Sequence, residues 1–391
     1  MTEWIECTLD KLGEIVGGAT PSTKCEDYYG GSIPWITPKD LSSFKGRYIT
    51  SGERNITEKG LASCSAQMMP KDAVLFTSRA PIGYVAIASQ SVCTNQGFKS
   101  IVVNEKADPL FVYYLLKYNK DAIEAMGSGT TFKEVSGKTM RAVKVRIPLD
   151  VSYQKRIAAV LDSLDTKIEN NERINDNLEQ QAQAIFRQEL LQNGELPPNW
   201  TTGSLLDIAD YLNGLAMQKF RPVDDERGLP VLKIKELRQG FCDYSSELCS
   251  PNIKPEFIVH DGDVIFSWSG SLLVDLWCGG TCGLNQHLFK VTSVKYPKWF
   301  YYTWTAHHLA RFVAIAADKA TTMGHIKRED LAKAEVIIPD VASMERIGGV
   351  LQPIYDLVIN QRIENRKLSM LRDSLLPKLM SGELDVSAVE L

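Results

Sequence analysis

The sequence predicts an α+β fold in which two mixed α/β domains, related by an internal repeat, are joined by two long antiparallel α-helices forming a coiled coil. Three observations support this. Short motifs occur twice at an offset of about 190 residues, far longer than the ~20–50-residue units of stacked repeat proteins. Each repeat begins with short apolar runs separated by turn residues, and each ends with apolar residues at coiled-coil spacing.

The repeat is visible in matched motifs from one end of the chain to the other. Asn95-Gln96 recurs as Asn285-Gln286. Further matched pairs are Ile33-Pro34 and Leu229-Pro230, Leu75-Phe76 and Ile265-Phe266, Thr130-Thr131 and Thr321-Thr322, Ile147-Pro148 and Ile338-Pro339, and Gly194-Glu195-Leu196 and Gly382-Glu383-Leu384. A duplicated domain on one chain suits a partner that has two-fold symmetry of its own, and duplex DNA is such a partner.

The first part of each repeat is predicted to consist mainly of short strands. In the first repeat, turn residues separate the apolar runs at 74–76, 84–87 and 101–103. One helix is expected at about 109–126, with its counterpart at about 297–317. A last strand then leads into Ile147-Pro148 and into Ile338-Pro339. We therefore expect the mixed domains to occupy residues 1–150 and 197–340.

The last part of each repeat is predicted to be a long helix, within 151–196 and 341–391. Each helix of about 40 residues would be about 60 Å long. Because both helices follow a mixed domain, antiparallel pairing would place the domains at opposite ends of a rod. The predicted pairing residues are Ile157, Leu161, Leu164, Ile168, Asn171, Asn175 and Leu178 in the first helix, and Ile347, Leu351, Ile354, Val358, Gln361, Asn365 and Leu368 in the second.

Amide side chains interrupt both apolar seams at the same place. They are Asn171 and Asn175 in the first helix, and Gln361 and Asn365 in the second. A buried amide costs stability but fixes the register, because a slipped pairing leaves it without hydrogen bonds. The alternative is an exposed seam that frays there. Recurrence in both repeats favours the register interpretation.

The composition is that of an ordinary soluble globular protein, for which we expect a cytoplasmic location. Hydrophobic residues make up 44 % and charged residues 24 % of the chain, and neither a basic leader nor a membrane-spanning stretch is recognisable. The net charge of −4 argues against a protein that simply coats DNA. The eight cysteines lack a Cys-x-x-Cys pair, and the nearest approach to one, Cys278-x-x-x-Cys282, has no counterpart in the first repeat, so buried or free thiols are favoured over a zinc site.

Several motifs together resemble the specificity subunit of type I restriction–modification systems, over the whole chain. They are Trp4…Leu9…Gly18-Ala19-Thr20-Pro21, Ile33-Pro34-Trp35-Ile36-Thr37…Asp40-Leu41, Val74-Leu75-Phe76…Arg79…Ile82-Gly83, Asn95-Gln96-Gly97, Gly129-Thr130-Thr131 and Ile147-Pro148. The resemblance implies two target recognition domains that each read one half of a split DNA site, with helices that set the gap. It also implies three kinds of partner: double-stranded DNA, methyltransferase subunits (two are expected) and restriction subunits.

Two features depart from the family pattern. The family often has Glu-Gln just after the proline that opens each long helix, whereas this chain has Tyr153-Gln154 and Ser343-Met344. The second repeat also has Gly214-Leu215-Ala216 in place of the Gly-x-Thr-Pro turn. These departures bear on individual contacts and not on the architecture.

The candidate DNA-binding residues are polar or aromatic side chains at or near matched places in the two repeats. Arginine binds guanine, and asparagine or glutamine binds adenine, through paired hydrogen bonds. The recurring Asn-Gln pairs are equally consistent with structural hydrogen bonding or phosphate contacts, whereas positions that differ, such as Arg79 and Ser269, are better candidates for base reading. The candidates are Thr20, Lys24, Arg79, Asn95, Gln96, Thr130, Thr131 and Lys133 in the first repeat, and Lys233, Trp268, Ser269, Asn285, Gln286, His287, Thr321, Thr322, His325 and Lys327 in the second.

One fragment suggests catalysis. Residues 127–131 (Gly-Ser-Gly-Thr-Thr) look like the S-adenosylmethionine loop of amino-group DNA methyltransferases. That loop should follow a strand and accompany an Asp-Pro-Pro-Tyr-like tetrapeptide, but here it follows an expected helix and the tetrapeptide is absent. No ATP-binding glycine motif occurs either. We therefore predict a non-catalytic subunit without cofactor or metal; a self-contained adenine methyltransferase and a coiled-coil scaffold that does not read DNA are the alternatives.

Overall fold

The computed structural model describes residues 3–129, 133–191, 196–223, 225–318 and 325–390. The chain divides into two compact units, Met1–Glu169 with Ser369–Leu391, and Asn170–Leu368. Each unit contains one mixed α/β part and one segment from each of two long helices.

The first repeat folds into two sheets and a separate strand pair. Strand β1 pairs antiparallel with β10, and the two sheets have the orders β2-β9-β6-β7-β4 and β5-β3-β8. The strands are β1 (Trp4–Thr8), β2 (Gly13–Gly17), β3 (Tyr29–Ile36), β4 (Tyr48–Ile49), β5 (Arg54–Ile56), β6 (Val74–Ser78), β7 (Ile82–Ala88), β8 (Cys93–Thr94), β9 (Lys99–Val103) and β10 (Lys144–Pro148). The helices are α1 (Pro38–Ser42), α2 (Glu58–Ala62), α3 (Pro109–Tyr118), α4 (Lys120–Ala125), α5 (Gly137–Ala142) and α6 (Val151–Leu190).

The second repeat has a similar plan, with four strands in each of its two sheets. Strand β11 pairs antiparallel with β20, and the two sheets have the orders β12-β19-β16-β17 and β14-β13-β18-β15. The strands are β11 (Thr201–Ser204), β12 (Asp210–Asn213), β13 (Leu229–Leu232), β14 (Leu248–Cys249), β15 (Ile258–Val259), β16 (Val264–Ser267), β17 (Leu273–Leu276), β18 (Cys282–Leu284), β19 (Leu288–Thr292) and β20 (Glu335–Ile338). The helices are α7 (Leu205–Ile208), α8 (Ile234–Gln239), α9 (Lys298–His307), α10 (Leu309–Asp318), α11 (Arg328–Ala332) and α12 (Val341–Ser381).

The predicted strands at 74–76, 84–87 and 101–103 are present as β6, β7 and β9. The predicted helices at 109–126 and 297–317 are each divided in two, at Asn119 and at His308. Asn119 Nδ2 donates to the carbonyl oxygen of Leu115 at 2.8 Å, so its side chain competes for a helical acceptor. The nitrogen Nε2 of His308 contacts the carbonyl oxygen of Glu335 at 2.8 Å. Apolar periodicity alone does not reveal such breaks.

Within each unit the segments of α6 and α12 run antiparallel. In the first unit Asp165 pairs with Arg372 at 2.6 Å, and the hydroxyl of Tyr153 donates at 3.0 Å to Asp385, which lies just beyond the end of α12. In the second unit Glu179 pairs with Arg362 at 2.6 Å, and Glu189 pairs with Arg346 at 2.7 Å. The partner numbers fall as the α6 numbers rise, which defines the antiparallel direction.

The predicted helix-pairing residues are all buried or half-buried, but several of them also contact a domain core. Ile157 and Leu161 belong to a core that includes Phe111 of α3, and Ile347 belongs to a core that includes Trp299 of α9. The buried members are Ile157, Leu161, Asn171, Asn175, Ile347, Leu351 and Val358, and the half-buried members are Leu164, Ile168, Leu178, Ile354, Gln361, Asn365 and Leu368. The seam therefore attaches each mixed domain to the helices in addition to pairing helix with helix.

The amides that interrupt the seam are buried or half-buried, and their hydrogen-bonding groups are only partly satisfied. Asn171 is 1 % exposed, and its Nδ2 donates to Asn365 Oδ1 at 2.8 Å and to Glu364 Oε2 at 2.7 Å. Within the described part of the chain, no donor reaches the side-chain oxygens of Asn171, Asn175 or Gln361. An unpaired buried oxygen costs about 1–3 kcal/mol. The amide layer therefore lowers stability, in keeping with a role in register.

Arg47 attaches the first mixed domain to α6 through a buried charge cluster. Its side chain is 6 % exposed, and its Nε lies 3.0 Å from Asp162 Oδ1. Its Nη1 lies 3.4 Å from Glu169 Oε1, and its Nη2 donates to Thr166 Oγ1 at 2.8 Å. Removing one member of a buried ion pair is costly because the remaining charge stays desolvated.

We predict that Arg47→Met destabilises the first unit by about 1–3 kcal/mol, because Asp162 and Glu169 lose their counter-cation but, at 31 % and 36 % exposed, stay partly hydrated. Hydrogen exchange of the β4 and α6 amides in the full chain measures the local loss. Lys39→Met, which removes an ion pair with Glu53 whose side chains are 79 % and 64 % exposed, is the matched control and should have little effect. Equal effects of the two substitutions would contradict the role given to Arg47.

Candidate DNA interface

The Asn-Gln pairs lie in turns that the asparagine side chains hold together. Asn95 Oδ1 accepts a hydrogen bond from the Gly97 N–H at 2.8 Å. Asn285 Oδ1 accepts one from the His287 N–H at 3.2 Å, and Asn285 is only 7 % exposed. The same turn occurs in both repeats, so this geometry favours structural hydrogen bonding over base reading for the two asparagines.

A glycine packs directly against each of these turns. A Cβ on Gly18 would lie 2.2 Å from the carbonyl oxygens of Thr94 and Asn95. A Cβ on Gly214 would lie 2.3 Å from the carbonyl oxygen of Asn285. No side chain fits at either place without backbone movement. The second repeat therefore keeps the essential glycine although it lacks the following Thr-Pro, and Thr20 in the first repeat donates to Gln96 Oε1.

In the first repeat, charged side chains gather beside this turn. The Ser78 N–H donates to the Gly97 carbonyl at 2.7 Å, and Arg79 and Glu134 face each other in an antiparallel backbone bridge. Arg79 Nη1 lies 3.5 Å from Glu134 Oε2, and Lys99 Nζ lies 3.6 Å from Glu134 Oε1. The Arg79 side chain is 34 % exposed. We call Arg79, Lys99 and Glu134 the charged cluster.

In the second repeat, rings gather at the corresponding place. The Trp268 indole stacks on Phe289 with centroids 5.6 Å apart, and lies 6.1 Å from the His325 ring and 6.2 Å from the His287 ring. Its Nε1 donates to Asn213 Oδ1 at 3.0 Å. We call Trp268, His287, Phe289 and His325 the aromatic cluster.

Ser269, which lies just after strand β16, also contacts the aromatic cluster. Ser269 Oγ and His287 Nδ1 are 3.0 Å apart. Tyr211, which lies edge-on to Phe289, is buried, and burial raises the pKa of its phenol. The aromatic cluster therefore packs against a buried tyrosine ring.

The two clusters occupy equivalent places in the two repeats. Ser269 and His325 form the same backbone bridge as Arg79 and Glu134. Strand register pairs Gly17 with Lys99 and Asn213 with Phe289, so Phe289 stands where the first repeat has Lys99. The backbone is thus conserved between repeats while the side-chain chemistry changes from charged to aromatic.

Sequence reasoning missed Lys99, Glu134, Asn213 and Phe289. A usable signal existed, because Lys99 and Phe289 each follow the asparagine of an Asn-Gln pair by the same number of residues. Glu134 is the counterpart of the predicted His325 and follows the recurring Thr-Thr pair at the same distance. Counting outward from the repeated motifs would have placed these residues in the clusters.

The other predicted residues lie outside the charged and aromatic clusters or outside the described residues. Lys233 Nζ pairs with Glu247, and this hydrogen bond is the main cause that lowers the pKa of the Glu247 carboxyl. Exposed or half-exposed positions are held by Lys24, Gln96, Lys133, Gln286 and Lys327. The predicted Thr130, Thr131, Thr321 and Thr322 lie outside the described residues.

The described part of the glycine fragment does not lead from a strand into a helix. It follows α4, as the sequence predicts, and Ser128 exchanges both backbone hydrogen bonds with Glu134, at 2.9 and 3.0 Å. Among the described residues, no three His, Cys, Asp or Glu side chains are grouped to hold a metal ion. In the same part of the chain, no helix has the length and apolar character that crossing a membrane requires.

Comparison with known proteins gives consistent similarities. The profile of the family described as "Type I restriction modification DNA specificity domain" matches residues 1–180 and 197–367. The type I restriction enzyme MjaIX specificity subunit of Methanocaldococcus jannaschii is 33 % identical over 419 residues, which cover 98 % of this chain and 94 % of the relative. The HindI specificity subunit of Haemophilus influenzae is 25 % identical over 174 residues, covering 43 % of this chain and 38 % of the relative.

A solved structure shares the fold. The crystal structure of a type I restriction–modification system S subunit from M. genitalium superimposes with a TM-score of 0.63. The match covers 97 % of this chain and 96 % of that chain at 14 % sequence identity. At this identity the similarity establishes the fold and carries no information on individual site residues.

If the asparagines are structural, Asn95→Asp should preserve base preference, because a carboxylate still accepts the Gly97 N–H but no longer donates to adenine. Asn95→Ala should lower stability by about 1–3 kcal/mol, since a buried donor loses its acceptor. Thermal unfolding and the methylated DNA motif are the two measurements, and Asn285→Asp and Asn285→Ala test the second repeat. A changed base preference in Asn95→Asp would show that the amide reads DNA.

Proposed function

Because the chain belongs to the type I restriction modification DNA specificity family, we propose that it recognises a bipartite, asymmetric site in duplex DNA without catalysing a reaction itself. The observation that carries this proposal is the pair of equivalent surfaces with different chemistry. Arg79 and Ser269 occupy the same backbone position, but one lies in a charged cluster and the other beside an aromatic cluster. Two domains that read different half-sites are expected to keep the backbone and change the side chains that face the bases.

In each repeat, the mixed domain and the helical region are proposed to have different roles. Residues 1–150 and 197–340 would be target recognition domains, and 151–196 and 341–391 would be helical regions. In the cytoplasm, the helical regions would position two methyltransferase subunits so that one adenine in each half-site is modified. Restriction subunits would join this complex and cut unmodified DNA with ATP.

The long helices are proposed to set the distance between the half-sites. Helix α6 contains 40 residues, or about 60 Å at 1.5 Å per residue, and one turn of DNA is about 34 Å. The amide layer around Asn171 supports this role. Its unpaired oxygens reduce stability, which is understandable where a single register of the helices is required.

Two alternatives make different predictions. A self-contained methyltransferase would bind labelled S-adenosylmethionine as the isolated full-length chain, and we expect no binding because the backbone of Ser128 pairs with that of Glu134 instead of forming a strand-to-helix loop. A scaffold that does not read DNA would leave the methylation pattern without any sequence motif that depends on this chain.

The proposal is tested by mapping methylated adenines across the genome of cells with and without the gene. We expect one split, asymmetric motif to lose its methylation when the gene is deleted, because the partner subunits then lack a guide to the site. Restoring the gene on a plasmid is the control. A pattern in which no split motif depends on the gene would contradict the proposed function.

We also predict that the spacer shortens when one heptad is removed from each long helix next to the amide layer. Seven residues correspond to about 10 Å of helix, and therefore to about 3 base pairs at 3.4 Å each. Deleting residues 178–184 together with 352–358 should change the spacer and leave both half-sites unaltered in the methylation map. Asn171→Ala keeps the helix length and serves as the control; an unchanged spacer in the double deletion would refute a measuring role.

A further inference from the structure

The charged cluster indicates which base the first domain reads. We infer that Arg79 binds a guanine in the first half-site, and that Glu134 is a positioning residue that orients the Arg79 guanidinium. This assignment rests on the proposed function and adds to it the base that is read, the residue that reads it and the residue that positions the reader. Only the first repeat is concerned.

Arg79 has the exposure and the donors that guanine recognition requires. Its side chain is 34 % exposed, so it is neither buried in the core nor fully solvated. Guanine presents two acceptors, O6 and N7, in the major groove, and the planar guanidinium matches them with two parallel N–H donors. Glu134 engages Nη1 through a contact of 3.5 Å, which leaves further N–H groups of the guanidinium for the base.

Glu134 is suited to position Arg79 because its backbone N–H and carbonyl are both hydrogen-bonded to Ser128. Its N–H donates to the Ser128 carbonyl at 2.9 Å, and its carbonyl accepts from the Ser128 N–H at 3.0 Å. Its carboxylate lies between Arg79 and Lys99, with one oxygen directed to each. Two cations around one anion leave the cluster with a net positive charge, which favours approach to DNA.

The backbone that carries Arg79 is anchored as well. The preceding residue, Ser78, donates its N–H to the Gly97 carbonyl at 2.7 Å and accepts from the Val135 N–H at 2.9 Å. Arg79 therefore projects from a segment held between the Asn-Gln turn and the Glu134 segment. Recognition by a fixed arginine costs less conformational entropy than recognition by a mobile one.

The second repeat provides an internal comparison. The positions of Arg79, Glu134 and Lys99 are taken there by Ser269, His325 and Phe289. Ser269 cannot make the paired contact with guanine that arginine makes. Ser269→Ala is therefore the matched control, since it alters the equivalent position without touching the charged cluster.

The test uses the complex purified from its own cells through a tag on the full-length chain. First, the methylation map of wild-type cells gives the first half-site, which should contain a guanine. Each guanine is then replaced by 7-deazaguanine, which lacks the N7 acceptor, in DNA duplexes used for competition binding. We expect one replacement to weaken binding by the wild-type complex about 5- to 150-fold, the range of one good paired contact, and binding by Arg79→Gln to be insensitive to it.

The supporting variants separate positioning from direct contact. Arg79→Lys keeps the charge but not the paired geometry, so it should lose discrimination at the same base while its melting temperature stays unchanged. Glu134→Gln should lose part of the discrimination at that base and none elsewhere, whereas a structural role would weaken binding to every sequence equally. Ser269→Ala should leave the first half-site unchanged.

The outcomes distinguish this inference from the proposed function. A wild-type first half-site without guanine, or Arg79→Lys and Arg79→Gln complexes that retain full discrimination at every guanine, would overturn the inference while a split motif remained. Loss of sensitivity to one 7-deazaguanine in both Arg79 variants would support it. A methylation map in which no split motif depends on the chain would instead overturn the proposed function.

Discussion

The close approach of a glycine to the Asn-Gln turn in each repeat is the constraint on which the rest of each candidate DNA surface depends. Gly18 and Gly214 lie so near the carbonyl oxygens of the Asn-Gln turns that a Cβ would overlap them. The asparagine side chains close the same turns from inside. Because the turn is fixed, the strand end beside it is fixed too, and Arg79 and Ser269 project from comparable backbone positions.

This arrangement separates the residues that hold the surface from those that we propose to read DNA. The residues shared by both repeats form hydrogen bonds within the turn, and the residues that differ lie around it. In the first repeat the differing residues form a charged cluster, and in the second they form an aromatic cluster in which Trp268 stacks on Phe289. A chain with a net charge of −4 can therefore present a local positive surface to DNA without being basic as a whole.

The helical segments show a similar compromise between stability and specificity. Ile157 and Ile347 stabilise the helices by packing into the domain cores, whereas Asn171 interrupts the apolar seam and leaves a buried oxygen without a donor. A uniformly apolar seam would be more stable but would tolerate shifted registers. A shifted register would change any distance that the helices are meant to measure.

Much of this fold was predictable from local patterns, and the missing parts depend on long-range contacts. Strand β6 follows from a continuous apolar run, and the start of helix α6 follows from apolar spacing, since periodicity identifies which face of a helix is buried. Periodicity does not identify what covers that face, so the packing of Ile157 against a domain core was not predicted. The pairing of Arg79 with Glu134 joins residues far apart in the sequence, and only the folded backbone brings them together. The sequence leaves the role of Asn95 open, because a recurring Asn-Gln pair suits structural hydrogen bonding, a phosphate contact and a base contact alike.

We propose that each repeat carries its own DNA-reading surface on a common backbone. The most direct measurement is the genome-wide map of methylated adenines in cells whose chain carries residues 1–150 in place of residues 197–340. Co-purification with the methyltransferase subunits verifies that the exchanged chain assembles. The account predicts a symmetric motif made of two inverted copies of the first half-site. Persistence of the original asymmetric motif in the assembled complex would contradict it.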